Sequence, residues 1–588
     1  MASYALHIET PLASVQPVTL SWRNLELQVA TKAEPKTILH TQSGVAKPGE
    51  LLVIMGPSGA GKSSLLDVLA GRQPRYAGDI RVNGQPCTKD AMRQHMSYIM
   101  QTDAFYPSLT VLEHLLFQAQ LRTHWPPEVR HARVLSVLEE MGLSKCRDTQ
   151  IGDDHRIRGI SGGERKRLSF ASELLTNPSL LFVDEPTSGL DSFMAESVVA
   201  QLRALARAGR TVVATIHQPS AEVYAAFDTL YLLSNGSPVY VGPASLARDY
   251  FASVGHVCPT YVNPTDFFMR ELMLAERAPI NDLVAAWRGA TYVSDDDDGG
   301  EPLSERTGVA SPRLFAVLCR RNALRILRDK MAFRAKVAQN VFVSVIVGLI
   351  YWQLPLTQLG IQSFTGVLFF IVINQFFGMA APEFAAVALE LPIMAREFQS
   401  GLYPSYVWYL AKNASELGLQ VLFPLVFLLP AYFMVGFPLS LPVWSSFYLF
   451  LSLLGSAATG LGYMVSCVVQ RPEIAPVVGI MVLLPFLIFG GLFLNAAMTP
   501  VYFKWLEVVS PMKYAFRGLS RAFWSHVASI PCEGPSRNCI ARDGATVLAN
   551  MSLDGGSFWG DALLLVGINL LFRTLGGLFL AWRLRGRQ

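Results

Sequence analysis

Two short segments of this 588-residue chain combine glycine, serine and charged residues in a way that suits phosphate binding. The first, GPSGAGKS, runs from Gly56 to Ser63 between a β-rich run, ELLVIM, and a helical run, SSLLDVLAG. Glycines let backbone N–H groups approach a phosphate, and the start of a helix adds its positive end. In this strand–loop–helix setting, the pattern G-x-x-x-x-G-K-[ST] predicts a nucleotide phosphate site.

Individual residues of this loop are expected to have distinct roles. Lys62 is predicted to contact the β- and γ-phosphates, and the Ser63 hydroxyl is predicted to hold Mg²⁺. A chance glycine-rich turn is a poor alternative, because both a strand signal and a helix signal flank the loop. The predicted cradle comprises Gly56, Pro57, Ser58, Gly59, Ala60, Gly61, Lys62, Ser63 and Ser64.

A further apolar run, LLFVDEPTSGLD, ends its strand-like part in two carboxylates. Asp184 is placed to hold Mg²⁺ directly or through water, and Glu185 is the candidate base or water-orienting group. Two carboxylates at the end of a buried strand are costly without a cation, which favours a functional role. The run TIHQPS ends another strand, and its His217 is a candidate sensor of the γ-phosphate, although a single histidine carries little weight by itself.

The second glycine-rich segment is ISGGERKR, Ile160 to Arg167. It opens a helical run, so the helix start offers another anion site. These residues alone leave open whose phosphate this second site holds.

The composition limits the class of protein. Hydrophobic residues make up 51% of the chain and charged residues only 16%, whereas soluble domains carry about 25% charged residues. A net charge of +4 on so long a chain gives no argument for nucleic acid. The beginning, MASYALHIETPLASVQPVTLSW, has neither a basic stretch nor a long apolar run, so we expect no cleaved signal and a cytosolic first half.

The chain is predicted to have an α/β half followed by an all-α membrane half. Residues 1–275 alternate β-rich and helical runs, which predicts helices on a largely parallel sheet. Residues 276–311 form a polar linker, whose run SDDDDGG is better explained as a solvated charge run than as a calcium site. Residues 312–332 predict an amphipathic connecting helix on the inner membrane face, with an ordinary cytosolic helix as the alternative. Residues 333–588 form the predicted transmembrane domain.

Six apolar stretches of about 20 residues predict six membrane-spanning helices. Basic residues before the first stretch and after the last place both flanks in the cytosol, which an even number of crossings satisfies. A set of buried soluble helices is improbable for six such stretches in series. The predicted spans are 336–354, 361–381, 413–435, 443–469, 474–494 and 562–582.

The segment between the fifth and sixth spans, about 495–560, is then expected to face outward. It contains NMS at Asn550, an acceptor pattern for N-glycosylation, whereas the same pattern at Asn235 and Asn413 falls where it should be silent. Cys532 and Cys539 share this segment on the oxidising side, so a disulfide between them is expected, with free thiols or pairing to another subunit as alternatives.

The ordered motifs resemble those of the ATP-binding cassette (ABC) transporter family. Besides the glycine loop, the acidic strand and His217, they include a glutamine loop with Gln101, a signature segment and a loop ending in Asp191. The resemblance implies that Gln101 lies by the catalytic Mg²⁺ and that ATP contacts Asp191. It assigns the signature to Ser161, Gly162, Gly163 and Glu164, where SGGER stands in place of the commoner SGGQ. For adenine stacking, Trp22 is only a weak candidate.

The resemblance also implies which subunit binds the nucleotide whose phosphate the second segment contacts. In this family two nucleotide domains face each other head to tail, and Ser161 to Gly163 cap the ATP held by the other subunit's glycine loop. A dimer is therefore implied. A homodimer is preferred because every catalytic motif is intact on this chain, and a heterodimer with a related half transporter stays open.

The order of the domains, with the nucleotide domain first, is similar to that of White-type half transporters of the G subfamily. VDEPTSGLDS, NPTDFFM, GVLFF and REFQSGLYPSYVWYLAK carry this resemblance. It implies a path at the dimer axis lined by Asn374 and Phe377, with Leu492 and Phe493 as an apolar plug; helix packing is an equally good explanation for any one of them.

The resemblance further implies ATP-driven export of a sterol, lipid, pigment precursor or xenobiotic. The alternative is a membrane-tethered ATPase that regulates a partner and transports nothing. Glu397 is a candidate to pair with Arg320 or Arg321. The plasma membrane is the default location, and an intracellular vesicle membrane stays open.

Overall fold

A computed structural model describes residues 15–29, 35–73, 75–86, 92, 95–101, 103–153, 157–275, 283–284, 287, 309–494, 499–532 and 539–585. The chain divides into two compact units. The first comprises the residues up to Val317 together with Glu397–Tyr403, and the second comprises Leu318–Arg396 and Pro404–Arg587. Most of the predicted linker, 276–311, lies outside the described residues.

Two sheets form the scaffold of the first unit. One has four antiparallel strands in the order β2-β1-β4-β5, and the other has six strands in the order β10-β9-β3-β8-β7-β6. The strands are β1 Leu20–Val29, β2 Lys36–Ala46, β3 Leu51–Met55, β4 Ala77–Val82, β5 Gln85–Pro86, β6 Met96–Ile99, β7 Leu180–Asp184, β8 Thr211–Thr215, β9 Thr229–Ser234 and β10 Ser237–Pro243.

The helices of the first unit accompany the larger sheet. Strands β3 and β8 are buried along their whole length, and their near-continuous apolar sequences fit a parallel sheet covered on both faces. Short 3₁₀ turns occur at Ser144–Cys146 and Ala244–Leu246. The helices are α1 Lys62–Leu69, α2 Val111–Arg122, α3 Pro127–Glu140, α4 Gly162–Leu174, α5 Ser192–Arg207, α6 Ala221–Tyr224, α7 Ala247–Ser253 and α8 Pro264–Ala275; α9, Ser311–Arg328, begins in this unit.

The larger sheet brings three predicted motifs to one edge. Strand β8 pairs in parallel with β3 on one side and with β7 on the other. Because parallel strands end at the same edge, the residues that follow them are gathered there. These are the glycine loop after β3, the Asp184–Glu185 pair at the end of β7, and His217 just after β8. The α/β prediction is confirmed.

The second unit is helical throughout the described part. A 3₁₀ turn lies at Val501–Phe503. Its helices, after the end of α9, are α10 Lys330–Ile350, α11 Gly360–Gln399, α12 Ser405–Val435, α13 Leu441–Val469, α14 Ala475–Ile488, α15 Lys504–Val509, α16 Pro511–Trp524, α17 Gly544–Asn550 and α18 Phe558–Arg585.

Five of these helices, α10 to α13 and α18, are long and apolar enough to cross a membrane. The fifth predicted span, 474–494, is instead a helix of only 14 residues, α14. Pro485 lies in its last turn and Gly491 has a positive φ of 99°, so the backbone leaves the helix before the apolar sequence ends. At 1.5 Å per residue, α14 reaches about 21 Å, less than a hydrocarbon core.

The described part of the segment 495–560 contains the helices α15, α16 and α17. Helix α16 within it buries one face that contains Met512, Phe516, Leu519 and Phe523. The ring of Phe523 lies 4.7 Å from that of Phe364 on α11. The spacing of these apolar residues is helical, so the segment contributes to the core of the membrane unit. Which side of the membrane it faces stays a prediction.

Candidate functional site

The glycine loop joins a buried strand to a helix, as its sequence predicts. Strand β3 ends at Met55 and α1 begins at Lys62, with Gly61 at the N-cap in the left-handed region at φ 98°. A Cβ added at Gly56 would collide with the carbonyl oxygen of Leu233. The loop can therefore take this path only with glycine at these two positions.

Lys62 lies inside this loop. Its side chain is 6% exposed, and Nζ donates hydrogen bonds of 2.8 Å to the Gly56 carbonyl and 2.9 Å to the Pro57 carbonyl. Burial lowers the pKa of Lys62, although Glu185 and Asp184 act in the opposite direction. Both acceptors are neutral carbonyl oxygens, so within the described chain the ammonium group of Lys62 forms no ion pair. This arrangement fits an anionic phosphate.

Oxygen atoms gather around Asp184 at the end of β7. Ser63 Oγ lies 3.1 Å from Asp184 Oδ1, and Thr215 Oγ1 donates to the same oxygen at 2.7 Å. The hydroxyl of Tyr98 lies 3.5 Å from Asp184 Oδ2, and burial raises the pKa of that tyrosine so that it keeps its proton. A hydroxyl and a carboxylate are ligands that Mg²⁺ prefers, so these residues fit the predicted metal site.

Glu185 has an unusual backbone and a defined partner. Its φ is 43°, a left-handed value that is uncommon for a residue with a side chain, and its N–H donates to Thr215 Oγ1 at 2.9 Å. Gln101 Nε2 donates to Glu185 Oε2 at 2.7 Å. The structure thus brings two predicted catalytic residues into direct contact. His217 is exposed at the same sheet edge and makes no side-chain hydrogen bond among the described residues.

The signature residues form the start of helix α4. Ser161 is its N-cap and forms a capping box with Glu164: the Ser161 N–H donates to Glu164 Oε2 at 2.8 Å, and the Glu164 N–H donates to Ser161 Oγ at 3.3 Å. Burial alone would raise the pKa of Glu164, but hydrogen bonds from Ser161 outweigh it and lower that pKa. Around Gly162 the space is open, whereas a Cβ at Gly163 would meet Met194. Glu164 therefore caps its own helix.

Lys166, which the sequence analysis did not single out, connects this helix with the glutamine loop. Its Nζ donates hydrogen bonds of 3.1 Å to the carbonyls of both Met100 and Gln101, and it lies 3.6 Å from Asp103. The side chain is buried. Since Arg165 and Arg167 flank it, no sequence signal distinguishes Lys166 from its neighbours.

Two predicted nucleotide contacts have other structural partners. Asp191 is exposed and caps helix α5 by accepting the Met194 N–H at 2.8 Å. Trp22 is only 1% exposed and packs against Tyr231 with ring centroids 5.8 Å apart. Because Trp22 is almost completely buried, the prediction that it stacks on adenine is wrong.

The predicted substrate residues lie in the second unit. Asn374 and Phe377 on α11 are half-buried, and the neighbouring Gln375 and Phe376 are buried. Leu492 is 38% and Phe493 65% exposed, and the Phe493 ring lies 5.5 Å from that of Phe369 on α11. Their role in a substrate path stays a prediction.

The structure describes the residues of both predicted covalent features, the disulfide and the glycosylation site. Cys532 and Cys539 are joined by a disulfide. Asn550 is exposed at the end of α17, where its Nδ2 donates to the Ile540 carbonyl at 3.0 Å.

Glu397 lies in the short segment that belongs to the first unit. It accepts a hydrogen bond of 2.8 Å from Gln118 Nε2 on α2 and another from the Tyr403 hydroxyl. A buried carboxylate needs such donors. The pairing of Glu397 with Arg320 or Arg321 stays a prediction.

Comparisons with known families agree with this arrangement. Residues 39–188 match the family described as ABC transporter, and residues 313–524 match the family described as ABC-2 type transporter. Residues 217–277 match a second family with the latter description. Together with the apolar helices, these matches make the chain an integral, multi-pass membrane protein with an ATP-binding domain.

Relatives align along nearly the whole length of the chain. It is 36% identical to Protein white of Drosophila melanogaster over 100% of this chain and 90% of that protein. It is 34% identical to the ABC transporter ATP-binding protein/permease wht-1 of Caenorhabditis elegans, over 92% of this chain and 87% of that one. It is 35% identical to ABC transporter G family member 7 of Arabidopsis thaliana, over 86% and 74% respectively. The chain therefore belongs to the ABC transporter family, as a half transporter of the G subfamily that couples ATP hydrolysis to transport across a membrane.

Proposed function

We propose that this half transporter exports hydrophobic or amphipathic small molecules, such as sterols, lipids, pigment precursors or xenobiotics. The observation that carries the proposal is the apolar face of α11 that a single chain leaves partly exposed. It includes Phe370, 40% exposed, and the half-buried Phe377, and the half-buried Asn374 is the polar residue between them. Leu492 and Phe493 add further exposed apolar surface. A path with so few hydrogen-bonding groups suits substrates that are themselves poor in them.

Residues at the sheet edge would share the chemistry of ATP hydrolysis. Lys62 would bind the phosphate oxygens, since within the described chain its ammonium group donates only to neutral carbonyl oxygens. Glu185 would orient the attacking water and accept its proton, while Gln101 holds the Glu185 carboxylate in place. Ser63 and Asp184 would hold Mg²⁺, which when bound neutralises charge on the phosphates. His217 would contact the terminal phosphate.

Half transporters of this family act as dimers, and we propose a homodimer for this chain. Every catalytic motif is present, so two copies would build two complete sites. In each, Ser161, Gly162 and Gly163 of one copy would face the glycine loop of the other. The open space around Gly162 leaves room for a phosphate at this helix start.

The proposed location is the plasma membrane, with the nucleotide-binding unit in the cytosol. Basic residues before the first span and after the last, including Arg328, Lys330, Arg583 and Arg585, support this orientation by the positive-inside rule. In a vesicle membrane, the nucleotide-binding unit would likewise face the cytosol.

Transport and ATPase activity measured together test the proposal. Purified protein in inside-out vesicles should show ATPase activity that hydrophobic compounds stimulate, together with uptake of a labelled sterol or dye. Lys62→Met should abolish both activities. Stimulated ATPase activity without uptake of any compound from a broad hydrophobic panel would instead favour a regulatory ATPase. An exposed lysine, Lys145→Met, is the matched control.

A further inference from the structure

The second unit contains a cavity of about 260 Å³ between α9, α10, α11 and α12. Its apolar wall includes Phe333, Met379 and Phe423, and the remainder of its lining is rich in charged side chains. Charged groups at membrane depth face a cavity or each other and mark functional sites. The partners of each charge indicate what the cavity is suited to bind.

The cations of the wall already have partners. Lys412 Nζ lies 2.8 Å from Glu390 Oε1 and 2.5 Å from Glu416 Oε1. Arg325 pairs with the same two carboxylates. Lys336 Nζ lies 4.8 Å from the centre of the Phe423 ring, close enough for a cation–π contact. An anionic ligand would have to break these contacts.

The groups without partners are mainly acceptors. The half-buried Glu383 side chain makes no hydrogen bond or ion pair within the described chain, and Glu390, which is 5% exposed, leaves its Oε2 atom without a hydrogen bond. Gln420, 2% exposed, has an unpaired Nε2 donor, while its Oε1 accepts from Ser456 and Arg573. A buried oxygen such as Glu390 Oε2 is costly without a donor, and the Glu383 carboxylate lines the same cavity, so the cavity suits a ligand that donates hydrogen bonds.

The cavity is separate from the proposed substrate path. Met379, Glu383 and Glu390 are spaced by four and seven residues on α11, so they share one helical face. Asn374 is five residues before Met379, which at 3.6 residues per turn turns it about 140° away from that face. The two sets of residues therefore lie on opposite sides of α11.

We propose that this cavity binds the ammonium group of an amphipathic amine. Its N–H bonds would be accepted by Glu383 and Glu390 Oε2, and its apolar part would pack on Phe333 and Phe423. Gln420 Nε2 would donate to a hydroxyl or ester oxygen near the nitrogen. A volume of about 260 Å³ is below the usual range of about 300–1,000 Å³ for whole ligands, so only the head and first carbons are enclosed.

Photolabelling of the full-length dimer tests this site. The probe is dodecylamine with a diazirine on a carbon close to the nitrogen, added to protein in phosphatidylcholine nanodiscs. Labelled peptides should contain residues 329–336 or 419–423, and excess dodecylamine should suppress the labelling while dodecanol does not. Glu383→Gln should reduce it about tenfold, as expected for loss of a charged hydrogen bond. The exposed carboxylate variant Glu473→Gln should leave it unchanged.

Two results would overturn the proposal. One is equal suppression by dodecanol, and the other is unchanged labelling in Glu383→Gln. Glu383→Gln keeps the size and shape of the side chain and breaks no hydrogen bond or ion pair of the described chain, so this variant should fold normally. Nanodiscs that contain phosphatidylethanolamine distinguish the sources of the amine: reduced labelling there assigns the site to a lipid head, and undiminished labelling assigns it to a free amphipathic amine. Either result is independent of which molecule the dimer transports.

Discussion

The carboxamide of Gln101 donates a hydrogen bond of 2.7 Å to the carboxylate of Glu185. The glutamine loop and the end of β7 are thereby joined within one chain. The acceptor is the proposed base, so its position depends on a residue that is distant in sequence. This relationship predicts different outcomes for the two partners.

Glu185→Gln should retain ATP binding and lose turnover by about 10²–10⁴-fold, because a carboxamide cannot accept the proton of the attacking water. Gln101→Ala should lower turnover less, since Glu185 keeps its carboxylate and loses only its support. Steady-state ATPase rates and trapping of labelled ATP measure both. Brisk ATPase activity in Glu185→Gln would contradict the assigned role.

Lys166 is expected to position the glutamine loop. Lys166→Met should lower kcat more than it changes KM for ATP, because the carbonyls of Met100 and Gln101 lose their donor while the glycine loop is intact. Lys166→Arg, which restores a donor, should recover part of the rate, and Lys145→Met should resemble the wild type. Equal loss of activity in the Met and Arg variants, with unchanged thermal stability, would argue against this role.

Glu164 predicts a pH-dependent contribution to the stability of α4. Its pKa is lower in the folded chain, where Ser161 donates to it. The stabilisation is therefore full above the unfolded pKa, about 4.3, and is lost as pH falls through the folded pKa. At pH 7 the wild type should have a higher melting temperature than Glu164→Ala, and in thermal scans the difference should shrink as the pH is lowered below about 4. A difference that grows on acidification would have the wrong sign.

Asp561 predicts a large stability effect in the membrane unit. It is 1% exposed near the start of α18, where Arg517 Nε donates to both of its oxygens at 3.0 and 2.9 Å and Arg521 adds a contact at 3.2 Å. Asp561→Ala leaves two arginines without their anion and should cost about 3–5 kcal/mol. Thermal unfolding in detergent measures this cost, and the exposed Asp554→Ala should be nearly neutral.

Glycosylation of Asn550 would report the side of the membrane on which α17 lies. If the segment 495–560 is external, enzymatic deglycosylation should shift the wild-type mobility, and Asn550→Gln should abolish that shift. Asn235 has the same acceptor pattern in the nucleotide-binding unit, and the control variant Asn235→Gln should keep the shift. A shift that survives in Asn550→Gln but disappears in Asn235→Gln would reverse the proposed orientation.

The sequence predicts the candidate site best where the functional residues are consecutive in the chain. The glycine loop, with its strand and helix, occupies consecutive residues, and its geometry follows from them. The joining of Asp184 to Ser63 required only the rule that parallel strands end at one edge. Partners brought together by packing were not predictable: nothing in the sequence links Lys166 to Gln101, or Gln118 to Glu397.

Two details of the membrane unit go beyond what the sequence pattern predicts. The apolar stretch 474–494 matched a span by hydropathy, but Pro485 and the conformation of Gly491 end the helix early. Helix α16 lies within the segment that is predicted to be external, and its buried face, with Leu519 and Phe523, alternates with basic residues, so hydropathy alone does not reveal it. Trp22 was considered for stacking because an aromatic ring suits that role, and burial, which the residue type cannot reveal, excludes it.

Lys62 donates hydrogen bonds to two carbonyls of its own loop, and these bonds should affect the association rate constant of the nucleotide. A loop without these two hydrogen bonds would have to be ordered around each arriving nucleotide. An entering phosphate would replace only two neutral carbonyl oxygens as partners of Lys62, and we expect the surrounding backbone to keep its shape. Such preorganisation saves the ordering cost of association, so capture should approach the rate of encounter itself.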